Sequence, residues 1–197
     1  ERIVRFVPSS EDFHYTVGEL MAYFEAHPVE NLLLINPDNP SGNYIKYSDL
    51  LRLIDWAGTR GCRLVIDESF AYFSAEFPEN TLLHDDVLER NPHLCVMKSI
   101  SKSYGVPGLR LGILASGDEE IIAHLKKDVS IWNINSFAEF FLQIYSKYDS
   151  DYKRSSAKFI AERERFRTEL AAVPFLEVFD SQANYFLCRL TGTLTSG

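Results

Sequence analysis

The segment Ser99–Gly112 groups side chains that can bond covalently to an aldehyde and bind a phosphate. Lys102 offers a primary amine, which forms a Schiff base with an aldehyde, and it lies between two serines in an otherwise apolar or glycine-containing stretch. Ser99, Ser101 and Arg110 can bind phosphate oxygens, because hydroxyl and guanidinium groups donate hydrogen bonds to anions. The segment therefore predicts a ligand that has both an aldehyde and a phosphate.

Asp67 and Asn39 supply two further groups that such a ligand needs. Pyridoxal phosphate combines an aldehyde and a phosphate with a pyridine nitrogen and a phenolic oxygen. A carboxylate at Asp67 would keep the ring nitrogen protonated, so that the ring withdraws electrons from a substrate carbanion. The amide of Asn39 can hydrogen-bond the phenolic oxygen without adding charge. Together these residues predict a pyridoxal phosphate site.

The apolar pattern places these polar residues at the ends of strands. Short apolar runs predict four strands, at 31–37, 62–69, 93–101 and 109–116. Runs that are apolar throughout are typical of strands buried on both faces, so the pattern predicts an α/β fold with a mostly parallel sheet and flanking helices. Asn39, Asp67 and Lys102 each follow a separate run, and open α/β sheets bind ligands beyond the carboxyl ends of their strands. We therefore expect these three residues to meet at one site.

The rest of the chain is predicted to be helical and then to begin a smaller unit. Helical patterns cover 118–128, about 136–148 and about 151–172, and two β-rich runs flank a turn within 173–190. We predict an incomplete large domain over residues 1–150. Residues 151–197 would form a linking helix and the start of a small α+β domain, too short to have a core of its own.

Composition narrows the class of protein. The net charge of −8, without any basic run, argues against nucleic acid or a membrane surface as a partner. No segment approaches the ~18 apolar residues of a membrane span, and the N-terminal residues lack the apolar region of a secretion signal, so we expect a cytoplasmic protein. Cys62, Cys95 and Cys188 have neither metal-site spacing nor a disulfide pattern, and we interpret them as reduced thiols.

Three motifs resemble, in order and spacing, the signatures of fold-type I pyridoxal phosphate enzymes, specifically the class I/II aminotransferases. They are NPDNPSG (36–42), VIDESF (65–70) and SISKSYGVPGLRLG (99–112). Asp67 follows Asn39 by 28 positions, and Lys102 follows Asp67 by 35. WNINSFAE and SQANYFLCRL are also similar to the branch that contains histidinol-phosphate aminotransferase and threonine-phosphate decarboxylase.

The resemblance implies a role for each residue. Lys102 would be the Schiff-base lysine, Asp67 would pair with the ring nitrogen, and Asn39 would contact the ring oxygen. Arg110 would bind the phosphate, assisted by Ser99 and Ser101. The resemblance also implies an aminotransferase that uses amino acid and keto acid substrates and forms a homodimer, with the apolar, aromatic-rich stretch 131–145 as interface. Family members are considerably longer, so we expect the 197-residue chain alone to be inactive.

Phe70 departs from the family pattern. Many members have at this position a tyrosine that donates a hydrogen bond to the ring oxygen, whereas threonine-phosphate decarboxylases tend to have phenylalanine. Decarboxylation of a phosphorylated or phosphonate-bearing amino acid therefore stays open beside transamination, as does an effector-sensing regulatory domain. Taken singly, Asn39 is also typical of a turn and Asp67 of a helix cap. Only the joint occurrence of the motifs favours a cofactor site.

Overall fold

A four-stranded sheet forms the centre of the computed structural model, which describes residues 3–192. The strands lie in the order in which the chain forms them: β1 (Asn31–Ile35), β2 (Arg63–Asp67), β3 (Leu94–Ser99) and β4 (Gly112–Ser116). The first three are parallel and in register, with Ile35 opposite Asp67 and Asp67 opposite Met97. The predicted mostly parallel sheet is confirmed.

The fourth strand runs antiparallel to the third. Only one helical turn, α4 (Ile100–Ser103), and a 3₁₀ turn at Pro107–Leu109 separate β3 from β4. A parallel connection would need a crossover that returns the chain to the opposite edge of the sheet, whereas a short connection of this kind reverses its direction. β4 therefore begins only at Gly112, and the first residues of the predicted run form the turn.

Two helices cover one face of the sheet. α1 (Val17–Ala26) begins with a capping box between Thr16 and Glu19, and α2 (Tyr47–Thr59) directs a stripe of apolar residues inward. Their buried side chains pack with those of the strands into the main core. Its fully buried leucine, isoleucine and valine side chains are Leu50, Leu53, Ile54, Leu64, Ile66, Leu82, Leu94 and Val96. Burying each one stabilises the fold by about 1.5–3 kcal/mol relative to leaving it exposed.

The first of the remaining helices connects β2 to β3, and the other three lie between β4 and the C-terminal strands. They are α3 (Asp85–Arg90), α5 (Glu119–Asp128), α6 (Ser136–Ile144) and α7 (Asp149–Ala171). β5 (Leu176–Val178) and β6 (Cys188–Leu190) pair antiparallel, so the two β-rich runs predicted within 173–190 form paired strands. The division into domains at residue 150 stays a prediction. No helix between residues 3 and 192 combines the length and the apolar character needed to cross a lipid bilayer.

Candidate active site

The predicted site residues gather at one edge of the sheet. Asp67 ends β2, Ser99 ends β3, Lys102 lies in α4 directly after it, and Asn39 lies in the loop after β1. Because β1, β2 and β3 are parallel neighbours, their carboxyl ends lie side by side. The strand order thus brings together residues that are far apart in the sequence.

Ser69 joins Asp67 to the end of β3. Its backbone N–H and its hydroxyl both donate to Oδ1 of Asp67, at 2.8 and 2.5 Å. The backbone N–H of Ser99 donates to the Ser69 hydroxyl at 2.9 Å. Sequence reasoning did not assign Ser69, although an aspartate that accepts from the residue two positions later is a common turn motif. The bridge fixes the half-buried carboxylate beside the start of α4.

Lys102 and Phe70 are in contact. The Nζ atom of Lys102 lies 4.2 Å from the centroid of the Phe70 ring, a distance at which an amine interacts with an aromatic face. Phe70 is buried, whereas Lys102 is exposed. The amine therefore extends from the fold into the open side of the site, with an apolar ring beneath it.

Tyr185 links this ring to the loop that contains Asn39. Its ring packs edge-on against Phe70, with centroids 5.1 Å apart, and its hydroxyl donates to the backbone oxygen of Asp38 at 2.7 Å. Burial raises the pKa of Tyr185 well above its usual range. The sequence motif SQANYFLCRL contains Tyr185, but its spacing alone gave the residue no role.

Gly42 allows the C-terminal segment to approach this loop. The backbone of Gly42 has a φ of +76°, and a Cβ there would overlap Ser181. The Gly42 oxygen accepts a hydrogen bond from the N–H of Gln182 at 3.0 Å. Asn39 itself is exposed in the same loop, so its amide is accessible to a ligand. A glycine is needed here because of both the backbone conformation and the close contact.

Ser101 and Arg110 are less directly joined to the other residues. Ser101 is 7% exposed within α4. Arg110 is exposed, adopts a left-handed backbone conformation (φ 55°, ψ 42°) and donates from Nη1 to the Pro107 oxygen at 3.2 Å. Within residues 3–192 its guanidinium has no hydrogen bond to either serine. The backbone still places Arg110 close to α4, since Ile100 N–H donates to the Leu111 oxygen at 3.1 Å.

The donor set fits pyridoxal phosphate. An accessible amine, a half-buried carboxylate, an accessible amide, two hydroxyls and a nearby guanidinium all lie at the same sheet edge. The fold matches the large domain of fold-type I pyridoxal phosphate enzymes.

Comparison with known proteins gives the family. The sequence model "Aminotransferase class I and II" matches residues 2–195, and the chain belongs to this family. Enzymes of the family use pyridoxal 5'-phosphate as their cofactor. Members include both aminotransferases and decarboxylases, so membership gives the cofactor but not the reaction.

Three relatives illustrate this range. The CMP-5'-(3-aminopropyl)phosphonate synthase of Streptomyces rubellomurinus (strain ATCC 31215) is 33% identical over 98% of this chain and 30% of its own length. The L-serine phosphate decarboxylase of Sulfurospirillum multivorans (strain DM 12446 / JCM 15788 / NBRC 109480) is 30% identical over 91% of this chain and 46% of its length. The solved histidinol-phosphate aminotransferase of Clostridium acetobutylicum is 28% identical, with a TM-score of 0.80 over 94% of this chain and 55% of that one. This chain thus spans about a third to a half of the proteins it matches.

Proposed function

We propose that the whole protein converts an amino acid bearing a phosphate or phosphonate group, using pyridoxal phosphate attached to Lys102. The observation that supports the attachment site is the exposed Lys102 amine, which lies above the ring of Phe70. Phe70 follows Asp67 by three positions in the sequence. All three relatives above are named for a compound that bears a phosphate or phosphonate group, which supports this substrate class.

The chain's own residues supply binding and proton transfer. When bound, pyridoxal phosphate provides an electron-withdrawing ring that stabilises negative charge next to the substrate nitrogen. Oδ1 of Asp67 already accepts two hydrogen bonds from Ser69, so Oδ2 would be the oxygen available to a protonated ring nitrogen. The Nζ atom of Lys102 would hold the cofactor covalently and, as a free amine, could accept or donate a proton.

Decarboxylation is the reaction we favour, and transamination is the second candidate. Phe70 has no hydroxyl, and the hydroxyl of the adjacent Tyr185 is already bonded to the Asp38 oxygen. Neither side chain therefore replaces the tyrosine donor found in many aminotransferases of the family. The absence of this donor at Phe70 and Tyr185 supports the decarboxylase hypothesis. Similarity to a histidinol-phosphate aminotransferase supports transamination, the reaction expected first from the sequence.

Chemical trapping tests the attachment site. The full-length protein, loaded with pyridoxal phosphate and reduced with borohydride, should have a phosphopyridoxyl group on Lys102 in peptide mass mapping. Lys102→Ala should lose this adduct, whereas Lys127→Ala, a change at another exposed lysine, should keep it. An adduct on any other lysine of the wild-type protein would contradict the proposal.

A product assay separates the two reactions. Full-length enzyme is incubated with serine phosphate and threonine phosphate, each with and without 2-oxoglutarate. Histidinol phosphate, an amino alcohol without a carboxyl group, serves as a comparison that can undergo only transamination. Carbon dioxide released without a keto acid supports decarboxylation. Glutamate formed without carbon dioxide would replace that reaction with transamination, and neither product from any substrate would contradict the proposed substrate class.

We also propose that the whole protein is a homodimer located in the cytoplasm. The support for a dimer is an exposed apolar surface around the start of α6. Its most exposed members are Ile131 (93%), Trp132 (90%) and Phe137 (80%), and apolar surfaces of this kind are typical of interfaces. Sedimentation should show a dimer that Trp132→Glu weakens and Lys147→Glu does not. A wild-type monomer at micromolar concentration would contradict the dimer.

A further inference from the structure

Lys98 is a buried lysine that the proposed chemistry does not use. It lies on β3, one residue before Ser99, and is 3% exposed. Its Nζ atom has no hydrogen-bond partner among residues 3–192. The same atom lies 2.8 Å from the centroid of the Tyr72 ring. An amine that is buried without a hydrogen bond is costly, so its position requires a physical explanation.

Glu68 gives Lys98 a buried counter-charge without a close ion pair. It lies one residue after Asp67 and is 1% exposed. Its carboxylate accepts from the Thr81 hydroxyl at 2.7 Å and from the Leu82 N–H at 2.5 Å. Because side chains alternate along a strand, Glu68 and Lys98 lie on the face opposite to Asp67 and Ser99. The buried charges are thus directly behind the residues that form the site.

The charges in this region affect one another. Burial lowers the pKa of Lys98 to about 7, and the negative charge of Glu68 partly opposes that shift. Burial raises the pKa of Glu68 and raises that of Tyr72 to about 12. The charge of His84 lowers the pKa of Glu68, whereas Tyr145 and Tyr152 raise the pKa of Tyr72. The Lys98 amine is the titratable group in contact with the Tyr72 ring.

The same two segments make a second amine-to-ring contact. Tyr72 belongs to the 3₁₀ turn Ala71–Phe73, which begins directly after Phe70. Lys98 contacts the ring of Tyr72, and Lys102, four residues later, contacts the ring of Phe70. Two lysines of the β3–α4 segment therefore contact two aromatic rings of the segment that follows β2. One contact is buried and the other faces the site.

We propose that Lys98 is a positioning residue for the cofactor site. By holding the Tyr72 ring against β3, its amine fixes the turn that starts at Phe70, and thereby fixes the ring on which the Lys102 amine lies. This inference depends on the proposed role of Lys102. It adds a residue that acts through Tyr72 and Phe70 and does not touch the cofactor.

The test measures cofactor affinity in the full-length protein with three variants. Lys98→Met removes the amine and keeps most of the apolar stem, Lys98→Arg keeps the positive charge, and Lys127→Met is a control at an exposed lysine. Pyridoxal phosphate is titrated into cofactor-free protein and followed by its absorbance, while circular dichroism and thermal melting report folding. Lys98→Met should raise the Kd about 10- to 100-fold, the size of effect found when residues that orient the direct ligands of a binding site are removed. Lys98→Arg should restore most of the affinity, and the control should match wild type.

The outcomes separate this inference from the proposed function. If wild-type protein is not modified at Lys102 by trapping, the proposed function fails. If it is modified there, but folded Lys98→Met binds the cofactor with the wild-type Kd, the positioning role is wrong. Equal losses for Lys98→Met and Lys98→Arg would also overturn it. Should Lys98→Met not fold, Tyr72→Leu removes the other half of the contact, and a wild-type Kd in that variant would overturn the inference.

Discussion

Asp67 and Glu68 are neighbouring carboxylates with opposite surroundings. Asp67 is half-buried at the open edge of the sheet and accepts hydrogen bonds from Ser69. Glu68 is 1% exposed and accepts from groups in the segment that precedes α3. Since adjacent side chains of a strand point to opposite faces, one residue can bind a ligand while the next stabilises the fold. Residue type alone does not distinguish the two roles.

The largest effect on stability is expected from Glu68→Ala. This change leaves the Leu82 N–H and the Thr81 hydroxyl buried without their acceptor, at a cost of about 1–3 kcal/mol each. It also removes the negative charge that faces Lys98. Urea unfolding of the cofactor-free protein should show a loss of several kcal/mol. A loss below 1 kcal/mol would mean that Glu68 is not a structural anchor.

Asp67→Ala should show the opposite pattern. Two donors of Ser69 lose their acceptor, which costs some stability. The main loss is expected in the reaction, because the carboxylate would no longer stabilise the charge that develops on the bound cofactor ring. We expect kcat to fall about 100-fold or more, the size found when an electrostatic contact to a developing charge is removed. Cofactor affinity should fall less, and the free energy of unfolding should change by less than that of Glu68→Ala. Equal losses in kcat and in cofactor affinity would contradict this role.

Stability should rise with pH because of Lys98. Its pKa is about 7 in the folded protein and 10.5 in its unperturbed state, so between these values the unfolded chain binds the extra proton. The free energy of unfolding then increases with pH, by at most about 1.4 kcal/mol per pH unit. Wild type should therefore gain stability relative to Lys98→Met between pH 7 and pH 9 in urea titrations. Parallel stability curves would show that Lys98 does not titrate there.

The smallest effect is expected from Phe70→Tyr. The new hydroxyl has a burial cost of about 1–3 kcal/mol unless it finds a partner, and the ring oxygen of the bound cofactor would supply one. Cofactor-free protein should lose about 1 kcal/mol, while cofactor-bound protein should lose less, as thermal melting can show. Phe73→Tyr, in the following turn, should show no such difference. An equal loss in both states would place the Phe70 ring edge away from the cofactor.

The sequence predicted the sheet, and the placement of the candidate site residues at one edge of it, better than the contacts around them. Runs of buried apolar residues identify β1, β2 and β3, and the polar residues that follow them mark the edge. The direction of β4 escaped prediction because it depends on the geometry of the turn at α4. Tyr185 and Ser69 escaped because their roles come from contacts with distant segments. The sequence contains no indication of the role proposed for Lys98, since a lysine in an apolar run does not reveal which aromatic ring it contacts.

The left-handed backbone at Arg110 has an energetic consequence. A residue with a Cβ adopts this conformation at a cost of about 1–2 kcal/mol, whereas glycine adopts it almost freely. Arg110→Gly should therefore increase the stability of the cofactor-free protein. An arginine at this position thus destabilises the fold but places a guanidinium close to the candidate phosphate-binding residues. The stability gained by the glycine variant measures this cost, and it can be compared with the cofactor affinity that the variant loses.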